Sequence, residues 1–206
     1  EGEDPPYRIA RLYNDPAPAN DNRCRDHLRE IEVDDAGNVY VLNVHRLNES
    51  CLLWKYGSDG TVLARLSLLD PSSPAKVADP AALHVSHDGK TLYLVSGQQD
   101  GEHPGSVTLY GLSTEDLSLV RTVTIEGMPL ATSITEDPAT GALWVTGFRT
   151  TEEAAAFPWL PAEFTHTTLL AKVPAGTETA EATEVSAATG AASMLPVSII
   201  WTGATE

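Results

Sequence analysis

The sequence predicts an all-β fold made of repeated four-stranded antiparallel sheets. Three observations carry that expectation. One pattern recurs three times: a short apolar strand, an acidic turn closing on glycine, and a second strand bearing an aromatic residue. Each copy is followed by two further strand-like runs. The copies recur at a period of roughly 40 to 50 residues, and four strands per period is the arithmetic of a β-propeller blade.

The first copy is Ile31-Glu32-Val33-Asp34-Asp35-Ala36-Gly37-Asn38-Val39-Tyr40-Val41. The second is Leu83-His84-Val85-Ser86-His87-Asp88-Gly89-Lys90-Thr91-Leu92-Tyr93-Leu94, and the third runs from Ser133 through Asp137-Pro138-Ala139-Thr140-Gly141 to Val145. Their turns need a residue with positive φ, which glycine adopts without steric cost. Aligning Val33, Val85 and Ile134 gives spacings of 52 and 49 residues. Third and fourth strands follow as Cys51–Tyr56 and Thr61–Leu66, joined by Gly57-Ser58-Asp59-Gly60. In the second unit they are Ser106–Tyr110 and Leu119–Ile125, and in the third Thr168–Val173 and a weakly marked run near Ala182–Val185. The units span approximately 24–69, 77–127 and 128–186.

The first unit's Asp34-Asp35-Ala36-Gly37-Asn38-Val39-Tyr40-Val41 with Tyr56-Gly57-Ser58-Asp59-Gly60 resembles the NHL-like and YVTN-like repeats of extracellular-type propellers. Ser86-His87-Asp88-Gly89-Lys90-Thr91-Leu92-Tyr93-Leu94 of the second unit matches equally well. The resemblance implies a fold. It says little about activity, because such propellers host lactonases, other hydrolases, redox enzymes and pure binding modules alike.

The ends extend the pattern. Ile9-Ala10-Arg11-Leu12 echoes the fourth strand Leu63-Ala64-Arg65-Leu66, and Pro196–Trp201 echoes the first strand Pro129–Ile134. Flanking strands are therefore expected at 6–13 and 196–202. Three units are fewer than the four a propeller typically needs. The expectation is a partial propeller, an excised or processed piece whose ring is completed by the rest of the molecule or by a second chain. The competing expectation is a self-standing twisted array.

Composition bounds the function. The chain has 206 residues, is 42% hydrophobic and 20% charged, and is therefore expected to fold. Its 13 basic and 29 acidic residues leave a net charge of −16, the wrong sign for nucleic acid or an anionic membrane. No apolar run approaches the roughly 20 residues that span a bilayer. Low lysine content, excess acid and the sequon Asn48-Glu49-Ser50 lean towards a secreted, periplasmic or cell-surface setting.

Cys24 and Cys51 are the whole thiol inventory, with no CxxC. They form either one disulfide or two separate buried thiols. With both in the ladder their Cα atoms would be roughly 9 to 10 Å apart. A bridge needs less than about 7 Å, so Cys24 would have to fold over the sheet end.

Candidate chemistry is sparse. His27 and His84 with Glu32 sit at or near first strands, where a propeller gathers axial metal ligands; a divalent metal suits such a set. Acidic residues cluster at Asp15, Asp21, Asp26, Glu30, Glu32, Asp34 and Asp35, and calcium is the cation they suit, in a structural role. Asp34-Asp35 is equally explained by turn chemistry. No cofactor is predicted: GxxxxGK[ST] and GxGxxG, which mark phosphate and dinucleotide loops, are absent, and without GxSxG there is no hydrolase elbow. The insert at 149–164 carries Phe157, Trp159, Leu160 and Phe164 between prolines, either a partner-docking loop or a cover for the next unit. The tail from Pro174 to Ser193 reads as a loose loop around a weak strand.

The leading expectation is a non-catalytic binding or scaffold module whose partner is protein, including the remainder of its own propeller or a second copy. The alternative is part of a lactonase-like, metal-dependent propeller hydrolase, which needs several His, Asp, Glu or Asn side chains converging on one axial pocket. A redox-enzyme subunit is a third reading that no cofactor motif supports.

Overall fold

The computed structural model describes residues 27–45, 50–77, 79–97, 105–150 and 166–185, and all of their regular structure is β. The first sheet contains β1 (His27–Val33), β2 (Val39–His45), β3 (Ser50–Tyr56) and β4 (Val62–Ser67), antiparallel in that order. A middle unit follows as β5 (Pro80–Val85), β6 (Thr91–Ser96), β7 (Val107–Ser113) and β8 (Leu119–Glu126). The last unit is β9 (Leu130–Asp137), β10 (Ala142–Thr150), β11 (His166–Val173) and β12 (Thr179–Glu184). Each unit pairs antiparallel in sequence order, as the repeat predicts.

Two details differ from the sequence expectation. The middle and last units are not separate sheets. They join through their outer strands, where β12 runs parallel to β8 with Thr179, Ala180 and Glu181 opposite Thr124, Ile125 and Glu126. Ala180 and Ala182 face the shared core, and their small side chains let the outer edges converge until main-chain groups pair. At the other end β5 lies against β9, so the eight-stranded sheet nearly closes on itself. β1 in turn lies against β5, which places the three first strands side by side. The fold is all-β and propeller-like.

The second difference is register. Gly37 N donates to Asp34 O, Gly89 N to Ser86 O and Gly141 N to Asp137 O. Asp34, Ser86 and Asp137 are thus equivalent turn openers. The third-unit counterpart of Val33 and Val85 is Glu136, not Ile134. The Asp137–Gly141 turn is one residue longer and opens later, which shifts the apolar alignment by two. Side chains open these turns in the same way: Asp34 Oδ1 accepts from Ala36 N and Asn38 N at 3.0 and 2.8 Å, and Asp137 Oδ1 from Ala139 N at 2.9 Å.

Two cores separate the three units. Tyr40, Leu42, Leu53, Leu83, Leu92, Leu94 and Leu112 fill the space between the first sheet and the middle unit. Tyr93, Val95, Val107, Leu109, Val123, Ile125, Leu143, Val145 and Ala171 fill the space between the middle and last units. β6 shows how the sequence does this. Leu92 and Leu94 point one way and Tyr93 and Val95 the other, so the strand reads as a continuous apolar run because both faces are covered.

The expected flanking strands at 6–13 and 196–202, Cys24, and the aromatic insert residues Phe157, Trp159, Leu160 and Phe164 lie outside the described residues.

Candidate functional site

The seams between units are built on one repeated device. In the first seam Lys55, on β3, reaches across to donate from Nζ to Thr114 O at 2.7 Å, in the turn between β7 and β8. Tyr40, opposite Lys55 in the ladder, directs its hydroxyl at Asp34 Oδ2 (3.0 Å) and at the same Thr114 carbonyl (3.4 Å). The Lys55 ammonium lies 5.9 Å from the Tyr40 ring centroid. In the second seam the cation is Arg121, on β8, which donates from Nη2 to Thr177 O (2.6 Å) and Pro174 O (3.1 Å) in the turn between β11 and β12. Arg121 also hydrogen-bonds the Tyr93 side chain. In both seams, then, a cation beside a second-strand aromatic of one unit donates to main-chain carbonyls of the next unit's outer turn. Such a charge-assisted bond is stronger than a neutral one, and it relieves a buried cation of an unpaired state.

Carboxylates mark the first-strand side of both seams. Glu136 Oε2 accepts from His87 N at 2.6 Å and stands 3.8 Å from His84 Nε2. Glu32 accepts from the Val85 main chain. Arg29 and Asp79 approach to 3.6 Å across the first seam.

Burial raises the Glu32 carboxyl above the usual 4.5, and the like charge of Glu30 adds to it, against the pull of the Val85 hydrogen bond. Glu30 is raised by burial in the same way. Burial lowers His84 below 6.5, with Glu136 opposing. The two shifts act oppositely on stability. A raised Glu32 favours the fold below its unfolded value, and that contribution is lost as pH rises through the higher folded value. A lowered His84 contributes stability above about 6.5 that is lost as pH falls towards its folded value. Glu32→Gln keeps the acceptor and removes the charge. It is expected to raise Tm at about pH 7 and leave it unchanged at about pH 4, as thermal melts at the two pH values would read. An equal Tm gain at both would mean that charge is not the cause.

The outer face of the first sheet is where the pattern stops. Ile31, Val33, Val62 and Leu63 are 46%, 58%, 48% and 53% exposed. Ladder pairing puts Ile31, Val41, Trp54 and Arg65 in one row of this face and Val33, Val39, Tyr56 and Val62 in the next. The Trp54 and Tyr56 rings stack at 6.0 Å, and the Arg65 guanidinium lies 5.2 Å from the Trp54 centroid. In the middle unit the counterparts of Ile31, Val39 and Val41 are Leu83, Leu92 and Leu94, all buried in the first seam. The face is exposed only at its edge strands: Val41 and Tyr56, between Ile31, Val33 and Val62 in the same rows, are 0% and 1% exposed.

The last unit carries a pair related to Tyr40 and Lys55. Trp144 and Lys172 are cross-strand partners on the face of the last unit that points away from the middle one. Lys172 Nζ lies 5.4 Å from the Trp144 ring centroid, and the side chain is exposed. Trp144 Nε1 is buried without a hydrogen-bond partner among the described residues.

Of the metal set expected from sequence, Glu32 points into the first seam and His84 into the second, so the fold does not bring them together. His27 begins β1, and its side chain lies outside the description. Among the described residues no group of three or more His, Cys, Asp or Glu could hold a metal ion. Asp34, of the acidic cluster, is occupied: burial opposes its ionisation, but bonds from Asn38, Tyr40 and Ala36 outweigh it and hold the carboxyl below 3.8. Cys51 is a free thiol buried in the first core, pushed up to about 12 by burial and by the charge of Asp79.

Sequence reading missed the clasp residues Lys55, Arg121 and Lys172. Lys55 and Lys172 each stand cross-strand from an aromatic residue, a signal readable once the register is known. Arg121 comes from the fourth strand instead, reaching over Gly111 (its ladder partner, opposite Tyr93), and that hides the repeat.

No protein-family model matches the chain, and no curated protein matches it in sequence. Among solved structures, hydrazine synthase of Kuenenia stuttgartiensis is similar in fold, with a TM-score of 0.51 at 13% identity over 75% of this chain. The matched region is 41% of that chain's length. An exo-beta-1,3-galactanase from Clostridium thermocellum has a TM-score of 0.45 at 15% identity over 76% of this chain and 34% of that one. The first likeness agrees with the all-β, propeller-like reading of the sheets, and the chain spans less than half of that relative.

Proposed function

We propose that this chain is a non-catalytic protein-binding or scaffold module, three blades of an extracellular propeller-type ring. Its ring is completed by another polypeptide surface. One observation carries the reading: Ile31, Val33, Val62 and Leu63 stand exposed on the kind of face that the middle unit buries. Apolar burial is worth about 25 cal/mol per Å², so these exposed residues at the two edges of the face, flanking the buried Val41 and Tyr56, favour association. Stacked Trp54 and Tyr56 make the face stiff, and Arg65 gives it a positive rim in an acidic protein.

The test is a photo-crosslinking amino acid at position 33 or 62 in the producing cell, with mass spectrometry of the products. Crosslinks to a discrete polypeptide are expected. A face that stays free of protein crosslinks at both positions would overturn the reading.

A further inference from the structure

We infer that the first sheet is a hinged unit, which opens from the middle unit along the first seam while the middle and last units stay joined. The turn between β7 and β8 is the latch that holds it shut. The two seams are fastened differently. Main chain seals the second: β12 adds to β8, Thr124 N donates to Glu178 O at 3.0 Å, and Ala131 N donates to Gly97 O at 3.2 Å. No ladder crosses the first seam, where β1 to β4 form a sheet of their own. Its described fastenings are made by side chains. They are the apolar core, the Glu32 acceptor on the Val85 main chain, and the Lys55 and Tyr40 donors on Thr114 O. A seam of this kind can part without breaking any strand pairing. The least costly partial opening therefore runs along it.

The turn that receives those donors is strained. Leu117 has a φ of +62°, in the left-handed region that a branched side chain rarely adopts. Its side chain is buried in the core that the first sheet shares with the middle unit. The turn itself belongs to the middle unit: Thr114 N donates to Lys90 O at 3.0 Å, and Thr114 Oγ1 to Gly89 O at 2.7 Å. Core burial of Leu117 opposes the backbone cost only while Tyr40, Leu42 and Leu53 complete that core. When the first sheet leaves, Leu117 loses its cover and Thr114 O loses both donors. The latch is thus engaged or released as one piece. Release uncovers Leu83, Leu92 and Leu94 on the middle unit and Cys51 on β3, all buried in the closed seam.

Cys51 is a built-in reporter, because its free thiol has no exposed surface until the seam parts. The test is iodoacetamide labelling of the native full chain, with the modified residue located by mass spectrometry. Val145→Cys supplies the matching thiol in the second core, where Val145 is fully buried. Cys51 is expected to react at least about tenfold faster than the thiol of V145C. Lys55→Met removes the donor and keeps the stem, and Leu117→Ala removes the plug and keeps the strain. Each should speed labelling of Cys51 by about tenfold and leave the V145C thiol unchanged. Equal labelling of the two thiols in the otherwise unaltered chain would show one cooperative unit and overturn the hinge. Variants that leave Cys51 unchanged, or that speed both thiols alike, would overturn the latch. If either variant fails to fold, the comparison of the two thiols still decides.

Discussion

Gly147→Ala is expected to destabilise the fold by about 3 kcal/mol, the upper range for overpacking a closed site. Gly147 sits in β10 between Leu169 and Ala131, where the ladder to β9 slips by one residue. A Cβ there would run into the Leu130 carbonyl oxygen, a main-chain atom that cannot swing aside. It would also meet the Met128 side chain at 2.8 Å, and Met128 is fully buried in the second core. Relief therefore requires β9 to move away from β10, which opens the second core. The matched control is Gly60→Ala, where φ is +81° but no atom stands within 4 Å of the added carbon. That change should cost only the left-handed backbone penalty, about 1 to 2 kcal/mol. Guanidinium denaturation of both variants reads the difference. Equal costs would show that close packing at β10 contributes nothing.

Leu94→Ala is expected to cost about 3 kcal/mol, within the range for truncating a buried leucine. Leu94 has no exposed surface and fills the core between the first sheet and the middle unit. Its neighbour Val95 is also fully buried, but in the core on the other side of β6. The pair therefore reports whether the two cores act separately. Because the side chains share no partner, the costs of L94A and V95A should add to within about 0.5 kcal/mol in the double variant. A coupling energy above about 1 kcal/mol would mean that β6 transmits strain between the cores.

Much of this architecture is legible in residues alone. Asp34-Asp35-Ala36-Gly37 and Ser86-His87-Asp88-Gly89 specify their turns locally, because a short side-chain acceptor and a glycine in the left-handed region suffice. Uninterrupted runs such as Thr91–Ser96 announce strands covered on both faces. The third unit was harder to read. Thr179–Glu184 is rich in alanine, threonine and glutamate, and what makes it a strand is the β8 edge it pairs with, a partner more than fifty residues earlier. Intrinsic strand preference is weak, and edge pairing decides it.

The site was less legible for a related reason. Glu32 and His84 look like companions because both lie on first strands. They occupy equivalent positions of successive units, so each reaches the first strand of the unit that follows its own, and the two end in different seams. The Lys172–Trp144 pair was invisible until β10 and β11 were in register. By itself, then, the sequence determined the strand pattern, the hairpin turns, the four-strand unit and the acidic charge, all set by interactions within a few residues. Tertiary structure alone decided which faces are sealed, where the outer strands join, and which cation and aromatic meet a carbonyl, because those depend on chain segments that only packing brings together.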